Sequence, residues 1–212
     1  MNESSLALIA HASRITLSIV DRFLDQRAAQ PIVVSQTLHE ILKRYHFESL
    51  IHYGHAAWIE IREDEQPIWT GAWGENLWFW LETAHGETVD LAAAHSFKLP
   101  DGSGHHSLRS VPLLWAKEIP SFYRYHSHGW AETDLEEPAT KNLWQPILRA
   151  IEDLELPTLG TEAQPSDFPN EPIVCSGRRI LDNSAADFRH FDRALSIFGM
   201  PEAPNFSTAQ SP

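Results

Sequence analysis

The chain has 212 residues, 42% hydrophobic and 21% charged, a composition that excludes disorder through its bulk. Its formal net charge of -13, from 29 acidic against 16 basic residues, repels phosphate backbones, so neither nucleic acid nor an anionic membrane is an expected partner. The single cysteine, Cys175, allows no intrachain disulfide and suits a reducing compartment.

The start Met1-Asn2-Glu3 lacks the basic and apolar run of a signal peptide. Polar residues interrupt Leu6 to Val20, and no apolar stretch has the length of a membrane span. A soluble, cytoplasmic protein is expected.

In chain order, Leu6, Ile9, Ile15, Ile19, Val20, Phe23 and Leu24 recur at helical spacing and predict a first helix over Ser4–Ala29. Pro31 stops it and opens a second helix, since proline suits a first helical turn. Val34, Leu38, Ile41, Leu42 and Tyr45 share a face of that helix, which ends near His46. From His52 to Arg62 the period changes to two, predicting a strand, followed by the charged turn Arg62–Glu65. The aromatic run Asn76–Glu82 predicts a buried strand, His85-Gly86 a hairpin turn, and Glu87–Leu91 the returning strand. Val111–Lys117 and Phe122–Tyr125 are further strands. Thr140–Leu154 reads as a short helix despite Pro146, and Leu156–Pro172 as a proline-rich linker. Ala185–Phe198 reads as an amphipathic last helix with Asp182, Asn183 and Ser184 as caps.

Helices followed by a run of strands predict an α+β fold: N-terminal helices on a mostly antiparallel sheet, with a helical C-terminal part. The expected organisation is a core over residues 1–130, a helical extension over 131–200 packed on it, and a disordered tail over 201–212.

The middle of the chain reads as a helix start at Pro31, then Glu40-Ile41-Leu42-Lys43-Arg44-Tyr45, a strand, Gly74-Glu75-Asn76-Leu77-Trp78, and Thr88-Val89-Asp90-Leu91. That order, over Pro31 to Tyr125, resembles the papain-like and transglutaminase-like superfamily. There, a cysteine starts a helix, a histidine opens a strand, and an Asp or Asn on the next strand orients the imidazole. The resemblance puts the nucleophile at Pro31 or Ile32 and the histidine at Asn76, and only Asp90 agrees with the pattern. Proline and asparagine supply neither a thiolate nor a base. The resemblance therefore implies a non-catalytic, degenerate domain that binds a small ligand or a protein partner and needs no cofactor.

Other residues carry chemistry of their own. Ser35, one turn into the second helix, is a substitute nucleophile with His55 and Asp90 as partners, although no nucleophile elbow surrounds it. Histidine is abundant, with 12 residues. His105-His106 and His126-x-His128 are candidate zinc ligands, because alternate strand positions share a face. They give the alternative of a histidine-rich, metal-dependent hydrolase. Cys175 lies in a short predicted strand and reads as a buried structural thiol. Trp78 and Trp80 alternate on a strand and read as core. Trp69 and Trp73, in the turn-like segment Trp69–Gly74, are candidates for a ligand or partner surface. If that surface is an interface, the chain is a structural or assembly protein.

Overall fold

The computed structural model describes residues 4–61, 67–93, 109–110, 112–131, 138–160, 164–167, 169, 171, 173–175, 179–181 and 202–206. Helix α1, Leu6–Val20, is capped by Ser5, whose hydroxyl accepts the Leu8 N–H at 3.2 Å. It is buried on nearly all sides, His11, Ser13 and Thr16 included. The first helix was expected to run on to Ala29, but it stops at Val20. Arg27 is the reason: it turns inward and is only 2% exposed. Its guanidinium is forked onto Asp21 at 2.7 and 2.6 Å and onto Glu171 at 2.8 and 2.6 Å. A continuous helix would carry Arg27 away from both carboxylates.

Helix α2, Pro31–Arg44, starts on its proline as expected. It ends where His46 takes a left-handed φ of 56° and the Phe47 N–H returns to the Leu42 carbonyl at 3.0 Å, closing the last turn.

Among the described residues, nine strands form one mixed sheet. They are β1 Ser49–Ile61, β2 Pro67–Ala72, β3 Trp78–Thr83, β4 Thr88–Asp90, β5 Arg109–Ser110, β6 Leu113–Ala116, β7 Tyr123–Trp130, β8 Ile173–Cys175 and β9 Arg179–Leu181. The order is β2-β1-β3-β4-β6-β8-β9, with β5 and β7 also on β1. The long β1 serves both edges: β3 pairs its first half and β2 its second on one side, while β7 and then β5 pair it on the other. The described pairings are antiparallel except β6 with β8, which is parallel.

Register divides the side chains between two faces. Trp80 of β3 lies opposite His52 of β1, Tyr125 of β7 opposite Ala56, and Tyr123 opposite Trp58. These residues, with Trp78 and Asp90, make one aromatic face. Ile51, Leu81, Val89 and Trp115 alternate with them on the other face. On that second face α2 packs against β1 and β3, and α1 packs on α2.

One sequence expectation needs correction, and the helical C-terminal part is not confirmed. The segment around Trp69–Gly74 is mostly the edge strand β2, not a turn. Gly71 is there because β1 passes close: a Cβ on it would lie 2.2 Å from the Ala56 carbonyl oxygen. The C-terminal part is, among the described residues, one helix and two strands. Helix α3, Pro138–Glu152, matches the expected short helix and accommodates Pro146. Strands β8 and β9 then join the sheet, with Cys175 buried in β8 as expected. The predicted Arg62–Glu65 turn, the helix over Ala185–Phe198 and its caps lie outside the described residues. Among the described residues no helix is long and apolar enough to cross a membrane.

The Arg27 clasp predicts an asymmetry. The Asp21 and Glu171 side chains are 45% and 30% exposed, so they rehydrate when the arginine is removed. Arg27→Met is expected to lose about 1–2 kcal/mol in urea unfolding. The double variant Asp21→Ala/Glu171→Ala, which strands a buried guanidinium, is expected to lose about 3–5 kcal/mol. A larger loss in the single variant would refute this account.

Candidate functional site

The residues expected to make a degenerate catalytic site do not come together as one. Ser35 is buried within α2 and Asn76 is exposed between β2 and β3. Asp90, 1% exposed, ends β4 on the aromatic face. His55 is on the opposite face, one residue before Ala56 and directly across from His126. The expected partnership of His55 with Asp90 is therefore not made: alternation along β1 aims them to opposite sides of the sheet.

Asp90 instead holds the sheet together. Its carboxylate accepts the Trp78 indole N–H at 2.8 Å, the Tyr125 hydroxyl at 2.9 Å, and the Ala92 and Ala93 backbone N–H groups at 2.9 and 3.0 Å. Burial pushes its pKa above the ordinary carboxylate value, and these four donors pull it back. Burial, with the Asp90 charge nearby, raises Tyr123 and Tyr125 well above an ordinary phenol, so both remain neutral.

Across the sheet, three histidines meet. Strand β7 pairs β1 with a register shift between Tyr53 and Gly54, where Gly54 faces Ser127 and Tyr53 faces Gly129. His128 is the extra residue of this bulge. Gly54 permits the approach: its φ is 158°, and a Cβ there would lie 2.1 Å from the His126 carbonyl oxygen. The bulge brings the His128 ring 4.3 Å from that of His55, with His126 at 5.5 Å from His128 and 6.4 Å from His55. Phe206 lies over His55 at 5.5 Å and beside His126 at 6.4 Å.

His55 is 1% exposed, while His126 and His128 are exposed. The His55 Nε2 atom faces the Gly74 carbonyl at 3.2 Å. A carbonyl only accepts, so Nε2 carries the proton and Nδ1 bears a lone pair. That Nδ1 is buried without a hydrogen-bond partner among the described residues. Partial burial, and then the His55 and His126 rings, hold the His128 imidazole below its ordinary pKa. Among the described residues no three His, Cys, Asp or Glu side chains stand arranged to hold a metal ion. The rings of His126 and His128 would have to turn, as exposed side chains on a strand can. Of the expected ligands, His126 and His128 are thus close together; His105 and His106 lie outside the described residues. His55 was not singled out with them, because only strand pairing makes it their neighbour.

An open groove of about 980 Å³ lies where the end of α2 meets β1 and the β3–β4 turn. His39, Lys43, His46, Glu82 and His85 are among its lining. His39 Nδ1 is 2.9 Å from the Ser49 hydroxyl, and burial lowers the His39 pKa. Of the two tryptophans expected at a ligand surface, Trp73 is 37% exposed. Trp69 is half-buried in β2 beneath the Arg124 guanidinium, at 5.2 Å.

No protein-family model matches the chain, and no curated protein matches it. Among solved structures, the crystal structure of a genomics target is similar at a TM-score of 0.40 and 12% identity, over 87% of this chain and 94% of that one. A likeness that slight carries no argument about fold or function.

Asp90→Asn keeps an acceptor for the Ala92 and Ala93 amides but turns an NH₂ toward the Trp78 indole. The tyrosine hydroxyl can rotate; the indole N–H cannot. The expected loss is about 2 kcal/mol. Because the Asp90 pKa is raised in the fold, wild type gives up stability as pH rises through that value. The gap between wild type and variant in urea unfolding is therefore expected to narrow as pH increases. A widening gap would contradict the buried-carboxylate account.

Proposed function

We propose that the protein binds a divalent transition-metal ion, zinc in the first instance, through His55, His126 and His128, and that the ion serves hydrolysis. The observation that carries this reading is the unpartnered, buried Nδ1 of His55 beside two exposed imidazoles. A ligand histidine that gives its other N–H to a backbone carbonyl is the usual support of a metal site, and His55 does so to Gly74. Tetrahedral ligation with metal–nitrogen distances near 2.1 Å spaces imidazole centroids about 5 Å apart. The centroids here are 4.3, 5.5 and 6.4 Å apart, so small turns of the two exposed rings suffice. Three histidines leave the fourth position for water, which is how zinc is used in hydrolysis. His55, fixed by its carbonyl partner, would set the direction of the first bond, and Phe206 would keep bulk water from one side.

Isothermal titration of metal-stripped protein with zinc is expected to show one site per chain. Substitution with cobalt is expected to give the visible bands of tetrahedral nitrogen ligation. His55→Ala and His128→Gln should each weaken binding at least tenfold. Absence of binding, or binding unchanged in the double variant His126→Gln/His128→Gln, would sink the reading.

A second reading rests on Asp90. On a papain-like or transglutaminase-like scaffold this residue would orient a histidine, yet its carboxylate is taken up by Trp78, Tyr125 and two backbone amides. In that reading the domain is non-catalytic, and a small ligand or protein partner occupies the groove beside α2. Metal-stripped protein is then expected to hydrolyse no amide substrate; hydrolysis without metal would overturn it.

A further inference from the structure

A second cluster of unpartnered polar atoms lies far from the three histidines, between α1 and α2. His11 and Arg14 are three residues apart on α1 and so share a face. Tyr45 caps the end of α2, with its ring 6.1 Å from that of His11, edge to face. The His11 Nε2, the Arg14 Nε and the Tyr45 hydroxyl are all buried, and none has a hydrogen-bond partner among the described residues. His11 itself is only 4% exposed. Its other nitrogen, Nδ1, faces the Asp167 carboxylate at 3.4 Å.

A buried, unpaired polar group is costly, and three in one place make a site that something polar should fill. The donors say what. An Arg Nε–H only donates. Burial raises the Tyr45 pKa, so the phenol keeps its proton and donates as well. His11 Nδ1 faces Asp167, which holds the ring against Tyr45. Among the described residues, the charged groups around the Tyr45 hydroxyl are Arg14, Arg44 and Asp167. Arg44 donates to the Ile151 and Leu154 carbonyls, which carry no charge to offset it. Two guanidinium groups against one carboxylate leave a positive balance in a chain whose net charge is -13.

We infer that a small anion, an inorganic oxyanion or a carboxylate, binds between α1 and α2 on Arg14 Nε and the Tyr45 hydroxyl, beside the His11 ring. It would close the contact between the two helices, with Asp167 as the group that holds His11 in orientation.

The test is thermal unfolding of the full chain in sodium formate and sodium phosphate, with sodium chloride at matched ionic strength as the reference. Wild type is expected to rise in midpoint with formate or phosphate above the chloride reference. Formate alone would mark a carboxylate site, and phosphate an inorganic oxyanion site. Tyr45→Phe, which keeps the ring against His11, and Arg14→Gln should each weaken the response about tenfold. No midpoint shift above the chloride reference with either anion, or a shift as large in Tyr45→Phe and Arg14→Gln as in wild type, would overturn the inference and leave water as the only occupant.

Discussion

Two buried carboxylates, each bonded to neutral donors, hold this fold in register. Asp90 and Glu87 are 1% and 2% exposed, and a bare charge at that depth would be expelled or neutralised. Both are instead surrounded by neutral donors. Glu87 accepts from the Ser4 hydroxyl and backbone N–H, the Thr83 hydroxyl and the Trp115 indole. Asp90 accepts from Trp78, Tyr125, Ala92 and Ala93. One acid therefore ties the start of α1 to β3 and β6, and the other ties β3 to β7. Neither set tolerates a one-residue slip, because a slip would turn a bonded indole to the opposite face. The β4 strand is only three residues long, so its place depends on these side chains more than on its own ladder.

The division of faces follows from the same strand. Asp90 fixes the aromatic face, and the helices cover the other. His55 sits on the helix-side face, at the point where β1 exchanges β3 for β2. Gly54 makes that exchange feasible by letting the β7 bulge approach, and the bulge delivers His128. The three histidines are thus a product of backbone geometry at one glycine. Their exposed members rest on the core without forming part of it, so changing His126 or His128 leaves both carboxylate knots intact.

Much of the framework could be read along the sequence because its signals are local. Pro31 and the spacing from Val34 to Tyr45 gave α2, and His85-Gly86 gave the β3–β4 turn. The alternation of Trp78 and Trp80 marked them as core, and they are 5% and 4% exposed. What was not legible depended on distant residues. The end of α1 is set by Arg27 reaching Glu171, 144 positions away. Gly71 looked like a turn residue because its role, a close approach of β1, appears only once the strands pair. Asp90 could be placed on its strand, but its bonds to Trp78 and Tyr125, 12 and 35 positions away, could not be seen. His126-x-His128 stood out as a motif. Its relation to His55 did not, because that depends on the β1–β7 register and on the bulge within it.

The metal reading and the anion inference share one argument, which is that a polar atom left unpaired in a packed interior points to something that pairs with it. They differ in sign. At His55 the free atom is a lone pair, because Gly74 takes the proton of the other nitrogen, and a lone pair among imidazoles suits a cation. At His11 the neighbours are donors, Arg14 and the un-ionised Tyr45, and donors suit an anion. The two histidines are chemically identical and nearly equally buried, at 1% and 4%. Their neighbours, imidazoles in one case and an arginine and a phenol in the other, assign them opposite ligands.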